Sequence, residues 1–201
     1  NGTSWSEQSD LSTGRYELTG NGSSASAGFA AGGNPTPAGV ELWNGAGTVQ
    51  VGAWTTGGAL NTARSNLGSS NAGTQSATLA FGGIAPGGGT PTYEGNQTEL
   101  YNGTSWTEVN DLNTARYAAA SAGTSTSALM FGGISFPPAS IKNETESWNG
   151  TNWTEVNNLN AARREILAGF GTSTAAIAAG GPPQAVELWN GTCWSEVNNI
   201  Q

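Results

Sequence analysis

The chain has 201 residues, a net charge of −8 and six basic side chains, so it lacks the basic surface that nucleic-acid binding requires. It contains no histidine and one cysteine, Cys193, which removes the commonest general base and metal ligand and any internal disulfide. No run of 18 apolar residues occurs, so we expect no membrane insertion. We also expect no catalytic residues, no bound metal and no cofactor.

The composition favours a β-rich fold with glycine-rich turns, because the chain has 31 glycines, eight tryptophans and only 10% charged residues. Disordered chains contain few aromatic residues, whereas tryptophan recurs here at regular intervals. No segment has an apolar period of 3.6 residues, so we expect almost no helix.

The phrase "NGTSW" opens the chain at residues 1–5 and returns at 102–106, as "NGTNW" at 149–153 and as "NGTCW" at 190–194, with a broken copy at 44–54. Asn-Gly between aromatic residues is a strong hairpin signal, because both central residues of a type I′ turn need positive φ. We therefore predict a type I′ turn in each phrase, with a strand on either side.

Four landmarks recur in a fixed order: an arginine, a glycine pair, a Glu-x-aromatic triplet and the tryptophan of the repeated phrase. The arginines are separated by 49, 52 and 47 residues, so the chain contains an internal repeat of about 50 residues. The repeated residues are Arg15, Arg64, Arg116 and Arg163; Gly32, Gly33, Gly82, Gly83, Gly132, Gly133, Gly180 and Gly181; Glu41, Glu99, Glu146 and Glu187; and Trp5, Trp54, Trp106, Trp153 and Trp194.

Each unit is predicted to form four short strands, as shown by the third unit, where strands are expected at 117–123, 126–133, 144–148 and 152–156. Four-stranded units repeated every 40 to 50 residues are typical of β-propeller blades. The predicted blades are 12–60, 61–112, 113–159 and 160–201, and residues 1–11 are predicted to form the fourth strand of an incomplete blade.

The order of landmarks resembles the kelch repeat over the whole chain, with Ala31 and Ala179 departing from the larger residue that usually precedes the glycine pair. The resemblance implies an all-β, kelch-type β-propeller of four-stranded antiparallel blades, with four full blades plus one extra N-terminal strand. It also implies that the glycine pair ends the second strand and that the aromatic residues pack between blades. The amino-acid sequence of the repeat is similar to that of kelch-like repeat proteins of tailed marine bacteriophages.

The extra N-terminal strand is surplus, because the last blade already contains its own fourth strand. We therefore expect the 201 residues to be a segment of a longer repeat protein, with five blades, a larger ring or an open array as alternatives. A closed ring of four blades would contradict this expectation.

The repeated residues have two interpretations each. The glutamates suit the paired carboxylates of glycoside hydrolysis, but a catalytic pair should occur once, so we expect each glutamate to pair with the arginine of its blade. The tryptophans could stack on sugars, but aromatic residues at one repeated position favour a core between blades. The Asn-x-Ser/Thr sites mostly coincide with the repeated turn, which already explains their asparagines.

The connection between the glycine pair and the acidic triplet varies most in length, and insertions in repeat proteins map to one face. The two longest connections, 84–98 and 134–145, contain Tyr93, Glu94, Phe136 and Lys142. We predict that these four residues bind a ligand, since binding residues concentrate on loops carried by a rigid scaffold. The alternative is that both loops are uncommitted surface.

The function expected from these features is a non-enzymatic structural or adhesion module on a virion appendage such as a tail or fibre. Its partners would be host cell-surface glycan or neighbouring virion proteins, and it could form a homo-oligomer. The alternatives are a secreted or cell-surface bacterial lectin or adhesin and, less favoured, a propeller enzyme that acts on carbohydrate.

Overall fold

The computed structural model describes residues 8–45, 53–85, 95–135, 138–165 and 168–198. All regular structure in these ranges is β-strand, arranged as four antiparallel sheets of four strands and one two-stranded hairpin. No helix in the described ranges is long and apolar enough to cross a membrane.

Each four-stranded sheet is one blade, and successive blades surround a common axis. The first contains β1 (Thr19–Ser24), β2 (Ala27–Ala31), β3 (Val40–Asn44) and β4 (Ala53–Thr56); the second β5 (Gly68–Ser69), β6 (Thr78–Phe81), β7 (Thr98–Tyr101) and β8 (Trp106–Val109). The third contains β9 (Ala120–Thr124), β10 (Ser127–Phe131), β13 (Thr145–Trp148) and β14 (Trp153–Val156); the fourth β15 (Ala168–Thr172), β16 (Ala175–Ala179), β17 (Val186–Trp189) and β18 (Trp194–Val197). The predicted all-β fold with four antiparallel blades is therefore confirmed.

Two features lie outside this regular pattern. The connection within the third blade forms a small hairpin of β11 (Ile134–Ser135) and β12 (Ser140–Ile141). The extra strand predicted at residues 1–11 falls mostly outside the described residues, and residues 8–11 form no strand.

In the three copies that the structure describes in full, at 102–105, 149–152 and 190–193, the Asn-Gly turn is a four-residue loop, so the predicted type I′ turn is wrong there. The copy at 1–5 and most of the copy at 44–54 lie outside the described residues. In the second blade Tyr101 pairs with Trp106, and Gly103 has a φ of 95° whereas Asn102 is not in the left-handed region. The Asn102 Oδ1 atom instead accepts hydrogen bonds from the N–H groups of Thr104 and Ser105, both at 3.0 Å. The asparagine side chain closes the loop itself, as in an Asx-turn, so only the glycine needs positive φ.

Three hydrophobic cores hold consecutive blades together. The second, third and fourth blades each present an aromatic pair on one face, and the opposite face of the preceding blade receives it. Between the second and third blades, the Phe81 and Trp153 rings pack edge to face with centroids 4.9 Å apart. Between the third and fourth blades, Phe131 contacts Trp194 at 4.7 Å.

The core between the first and second blades joins Phe29 to Trp106 with centroids 6.3 Å apart. The buried tryptophans are about 5% exposed or less, consistent with aromatic residues that bury a large apolar area. In the described part of the chain, no hydrophobic cluster joins the fourth blade to the first.

One buried tryptophan lacks a hydrogen bond that its equivalents make. Trp153 Nε1 donates to Thr98 Oγ1 at 2.9 Å, and Trp194 Nε1 donates to Thr145 Oγ1 at 3.0 Å. The first blade has Val40 at the position of these threonines, and Trp106 Nε1 is buried without a hydrogen-bond partner among the described residues.

The substitution Val40→Thr is expected to raise the free energy of unfolding by about 1 kcal/mol, because it supplies the missing acceptor to Trp106 Nε1. Urea unfolding followed by tryptophan fluorescence measures the change. The control is the same substitution in a Trp106→Phe background, where no indole N–H is present and no gain is expected. Equal effects in the two backgrounds would contradict the assignment.

Candidate functional site at the mouth of the propeller

The four repeated arginines form ion pairs with the four repeated glutamates, each within its own blade. Arg64 Nη2 lies 2.7 Å from Glu99 Oε1, and Arg116 Nη2 lies 3.1 Å from Glu146 Oε1. The other two pairs are Arg15–Glu41 and Arg163–Glu187. All eight side chains are at most 3% exposed, so none of them is available to a ligand.

Each buried carboxylate is also held by the segment that leads into its blade. Glu99 accepts hydrogen bonds from the N–H groups of Asn61 and Thr62 at 2.7 and 3.2 Å, and from the Asn61 side chain at 2.9 Å. Asn113 and Asn160 make the equivalent contacts with Glu146 and Glu187. The carboxylates thus have the several partners that a buried charge needs.

Burial lowers the pKa of the Arg64 guanidinium, and the negative charge of Glu99 opposes that shift. Arginine stays protonated at any physiological pH, so the buried Arg64 guanidinium carries its positive charge. In the described ranges no group of three or more His, Cys, Asp and Glu residues could hold a metal ion.

The glycine pair connects each blade to the next through the backbone. The Gly83 N–H donates to the Arg116 carbonyl at 3.1 Å, and Gly33 and Gly133 make the same bond to Arg64 and Arg163. A Cβ on Gly82, whose φ is 65°, would lie 2.6 Å from the Arg116 carbonyl oxygen. Glycine is needed because of both the left-handed conformation and this close approach.

A second chain of backbone hydrogen bonds runs through the residues two positions after the repeated arginines. The Asn66 N–H donates to the Glu17 carbonyl, Ala118 to Asn66, and Glu165 to Ala118, at 2.9 to 3.2 Å. All four residues are left-handed, with φ between 50° and 57°. This conformation is uncommon for residues other than glycine and often marks functional positions.

Leu18, Leu67 and Ala119, which directly follow three of these residues, line a central channel. We call the end of the channel at the four left-handed residues, with their chain neighbours and the connections that start there, the mouth. A polar cavity of about 480 Å³ lies between the innermost strands of all four blades. Asn71 reaches across it and donates hydrogen bonds to the Ser121 and Gly169 carbonyls at 2.8 and 2.6 Å. The channel interior is therefore filled in part by the protein's own amide side chain.

The mouth carries the most exposed large aromatic side chain of the described residues. Tyr16, which directly follows Arg15, is 64% exposed. Its backbone forms a bridge with Asn34, at the start of the first variable connection. Beside it, the Asn34 amide donates to Glu17 Oε2 at 2.9 Å. An exposed ring thus stands next to a paired carboxylate and amide.

Of the four loop residues predicted to bind a ligand, Tyr93, Glu94 and Phe136 lie outside the described residues. Lys142 lies in the connection after β12, where its ammonium is 3.2 Å from Glu144 Oε1. Burial alone would raise the pKa of Glu144, but a hydrogen bond from its own backbone and the Lys142 charge hold the pKa below its ordinary value. Both side chains are about a quarter exposed or less, so the pair is only partly accessible.

Sequence reasoning missed Tyr16, Glu17 and Asn34. The position after each repeated arginine is occupied by Tyr16, Ser65, Tyr117 and Arg164, and this variation beside an invariant residue was a usable signal. The left-handed conformation of the next position had no signal, because glutamate, asparagine and alanine all occur there.

The sheets, the cores between blades and the central channel define a four-bladed β-propeller. Its structure is similar to the solved structure of YjhT, with a TM-score of 0.77 over 96% of this chain and 68% of that chain. The two sequences are 12% identical, so the likeness concerns the fold alone. In total 146 solved chains match, and a fold shared this widely does not determine function. Neither a protein-family model nor a curated protein matches the chain.

Proposed function

We propose that this chain is a non-enzymatic binding module that holds carbohydrate at its mouth. The observation that carries the proposal is the exposed Tyr16 ring beside the Glu17–Asn34 pair. The scaffold contains the repeated arginines, glutamates and buried tryptophans, which are the same in each blade. The blades differ from one another in the residues at the mouth. Binding residues concentrate on such connections of rigid folds.

The chemistry of these groups suits a sugar ring. The C–H face of a pyranose is apolar and packs against an aromatic ring, while the amphipathic tyrosine also keeps contact with water. The sugar hydroxyls can donate to the Glu17 carboxylate and accept from the Asn34 amide, and hydrogen bonds to a charged group are the stronger kind. The mouth is open rather than enclosed, so each site would bind weakly, and several copies would supply avidity.

The setting we propose is a virion appendage that contacts host cell-surface glycan, with neighbouring virion proteins as its structural partners. The resemblance of the repeat sequence to kelch-like repeat proteins of tailed marine bacteriophages supports this setting. The lack of catalysis is supported by the repeated glutamates, because all four are paired with arginine and buried. A carboxylate held this way cannot reach a glycosidic bond as an acid or a nucleophile.

The substitution Tyr16→Ala is expected to weaken glycan binding by about tenfold or more, because it removes the stacking surface at the centre of the site. A glycan array followed by titration of the best ligand measures the change. Tyr16→Phe keeps the ring and should retain most of the affinity. Thr154→Ala alters an exposed residue on the outer strand β14, outside the mouth and both long loops, and should have no effect.

Unchanged binding by Tyr16→Ala would contradict this site. If truncation of both long loops, 84–98 and 134–145, then abolished binding, the ligand would be held by the loops instead. Mass spectrometry of the incubated glycans tests the absence of catalysis, since a consistent product would show that the protein is an enzyme.

A further inference from the structure

The contact between consecutive blades has two sides, an aromatic pair on one blade and an apolar receiving face on the preceding blade. The first blade exposes the aromatic pair, and the fourth blade exposes the receiving face. The second, third and fourth blades bury their aromatic pairs against the preceding blade: Tyr101–Trp106, Trp148–Trp153 and Trp189–Trp194, with centroids 5.0 to 5.4 Å apart. The first blade has the same pair, Trp43–Trp54, at 5.5 Å. Among the described residues no hydrophobic core covers it, and it lines an open cavity of about 260 Å³.

The fourth blade presents the receiving half. Ile177 stands at the position of Leu79 and Leu129, which are fully buried, yet Ile177 is partly exposed. Phe170 stands at the position of Ala122, which is also fully buried, and Phe170 is 52% exposed.

Two further apolar residues widen this receiving surface. Leu188 and Val197 are 41% and 40% exposed, whereas their equivalents Leu100 and Val109 pack against the core that leads to the third blade. Four apolar side chains, each with an equivalent that is buried in or packs against a core between blades, are therefore partly or largely exposed on one face of the fourth blade. A contiguous exposed apolar surface of this kind marks an interaction site.

We propose that the first blade of a second copy of this chain packs on the fourth blade, with Trp43 and Trp54 of that copy against Phe170, Ile177 and Leu188. The chain carries both halves of the contact, and it makes the same contact three times between its own blades. The interface thus continues one that the fold already uses. It is heterologous, because two different surfaces meet, and it closes into a ring or extends as an open series.

The position of Val186 provides a second check on the contact. It is the equivalent of Thr98 and Thr145, whose hydroxyls accept the indole N–H of the next blade's tryptophan. If Trp54 of a second copy seats in the same way, its indole N–H lies beside Val186. The substitution Val186→Thr should therefore strengthen the association, by up to about tenfold for one added hydrogen bond.

Sedimentation equilibrium of the 20.3 kDa chain from low to high micromolar concentration, at physiological salt to screen its net charge of −8, tests the proposal. Self-association is expected, and Leu188→Arg should weaken it about tenfold or more by placing a charge in the contact. Ile141→Arg makes the same change at a similarly exposed residue outside the contact and should have no effect. Val197→Arg is a second variant on the receiving face.

A mixture of two variants distinguishes a head-to-tail contact from a symmetric one. Leu188→Arg keeps an intact first blade, and Trp54→Arg keeps an intact fourth blade. At a concentration where the unchanged chain associates, each variant alone should be mostly monomeric, whereas an equimolar mixture should form a heterodimer through the one intact pair of surfaces. Circular dichroism verifies that each variant is folded, and if Trp54→Arg is not, Val186→Thr supplies the independent readout.

Four results would overturn the proposal. These are a monomer at every concentration, self-association that Leu188→Arg and Val197→Arg leave unchanged, an equal loss with Ile141→Arg, and a mixture of folded variants that stays monomeric. The first would show that something other than a second copy covers the two faces. The last would show that the copies meet through two identical surfaces.

Discussion

Replacing Glu99 with alanine is expected to lower the free energy of unfolding by about 3 to 5 kcal/mol, because the substitution leaves the buried Arg64 charge without its counter-ion. Arg64 is fully buried, and its guanidinium has no other carboxylate within ion-pair distance among the described residues. The N–H groups of Asn61 and Thr62 also lose their acceptor. Urea unfolding followed by circular dichroism measures the loss.

The matched control is Glu108→Ala, which removes the same side chain from the adjacent strand. Glu108 pairs directly opposite Glu99 in the sheet but is exposed, so its loss should change the free energy of unfolding by no more than about 0.5 kcal/mol. Similar losses in the two variants would show that the buried ion pair contributes no more to the free energy of unfolding than an exposed glutamate does.

The second large effect is expected from Gly82→Ala, which should cost about 2 to 4 kcal/mol. An alanine at a φ of 65° is strained, and its Cβ would meet the Arg116 carbonyl oxygen at 2.6 Å and Met130 Cε at 2.9 Å. Both contacts belong to the next blade, so the strain must be relieved by moving one blade against the other. Thermal unfolding by calorimetry reports the change.

Gly14→Ala is the control for this prediction, because nothing lies within 4 Å of a Cβ at Gly14 and its φ is not positive. It should be neutral or slightly stabilising, by up to about 1 kcal/mol, since alanine restricts the unfolded chain. A loss at Gly14 as large as that at Gly82 would mean that the effect does not arise between blades.

The blades could be predicted from the sequence because each repeated residue type meets a steric or packing requirement of its own position in the blade. The glycine pair is required wherever a neighbouring carbonyl approaches within 3 Å of a Cβ position, as at Gly82. The Glu-x-aromatic triplet alternates a buried ion-pair partner and a buried ring on one face of β7, as Glu99 and Tyr101 show. Both demands recur in every blade, so they leave a periodic trace in the sequence.

Other features left no such trace. The type I′ turn was predicted from Asn-Gly alone, but the Asn102 side chain competes by accepting two backbone N–H groups. The mouth depends on backbone conformation at Glu17 and its equivalents, where the side chain does not reveal φ. The exposed faces of the first and fourth blades depend on what each blade packs against, which no single repeat encodes.

The left-handed residues around the channel also have a consequence for how such a protein can evolve. The bonds that join Glu17, Asn66, Ala118 and Glu165 use only their N–H and carbonyl groups, so the side chains take no part in holding the blades together. Any residue that keeps its N–H and tolerates positive φ can occupy these positions. A lineage could therefore change what the mouth recognises one residue at a time, while every bond between blades is inherited intact.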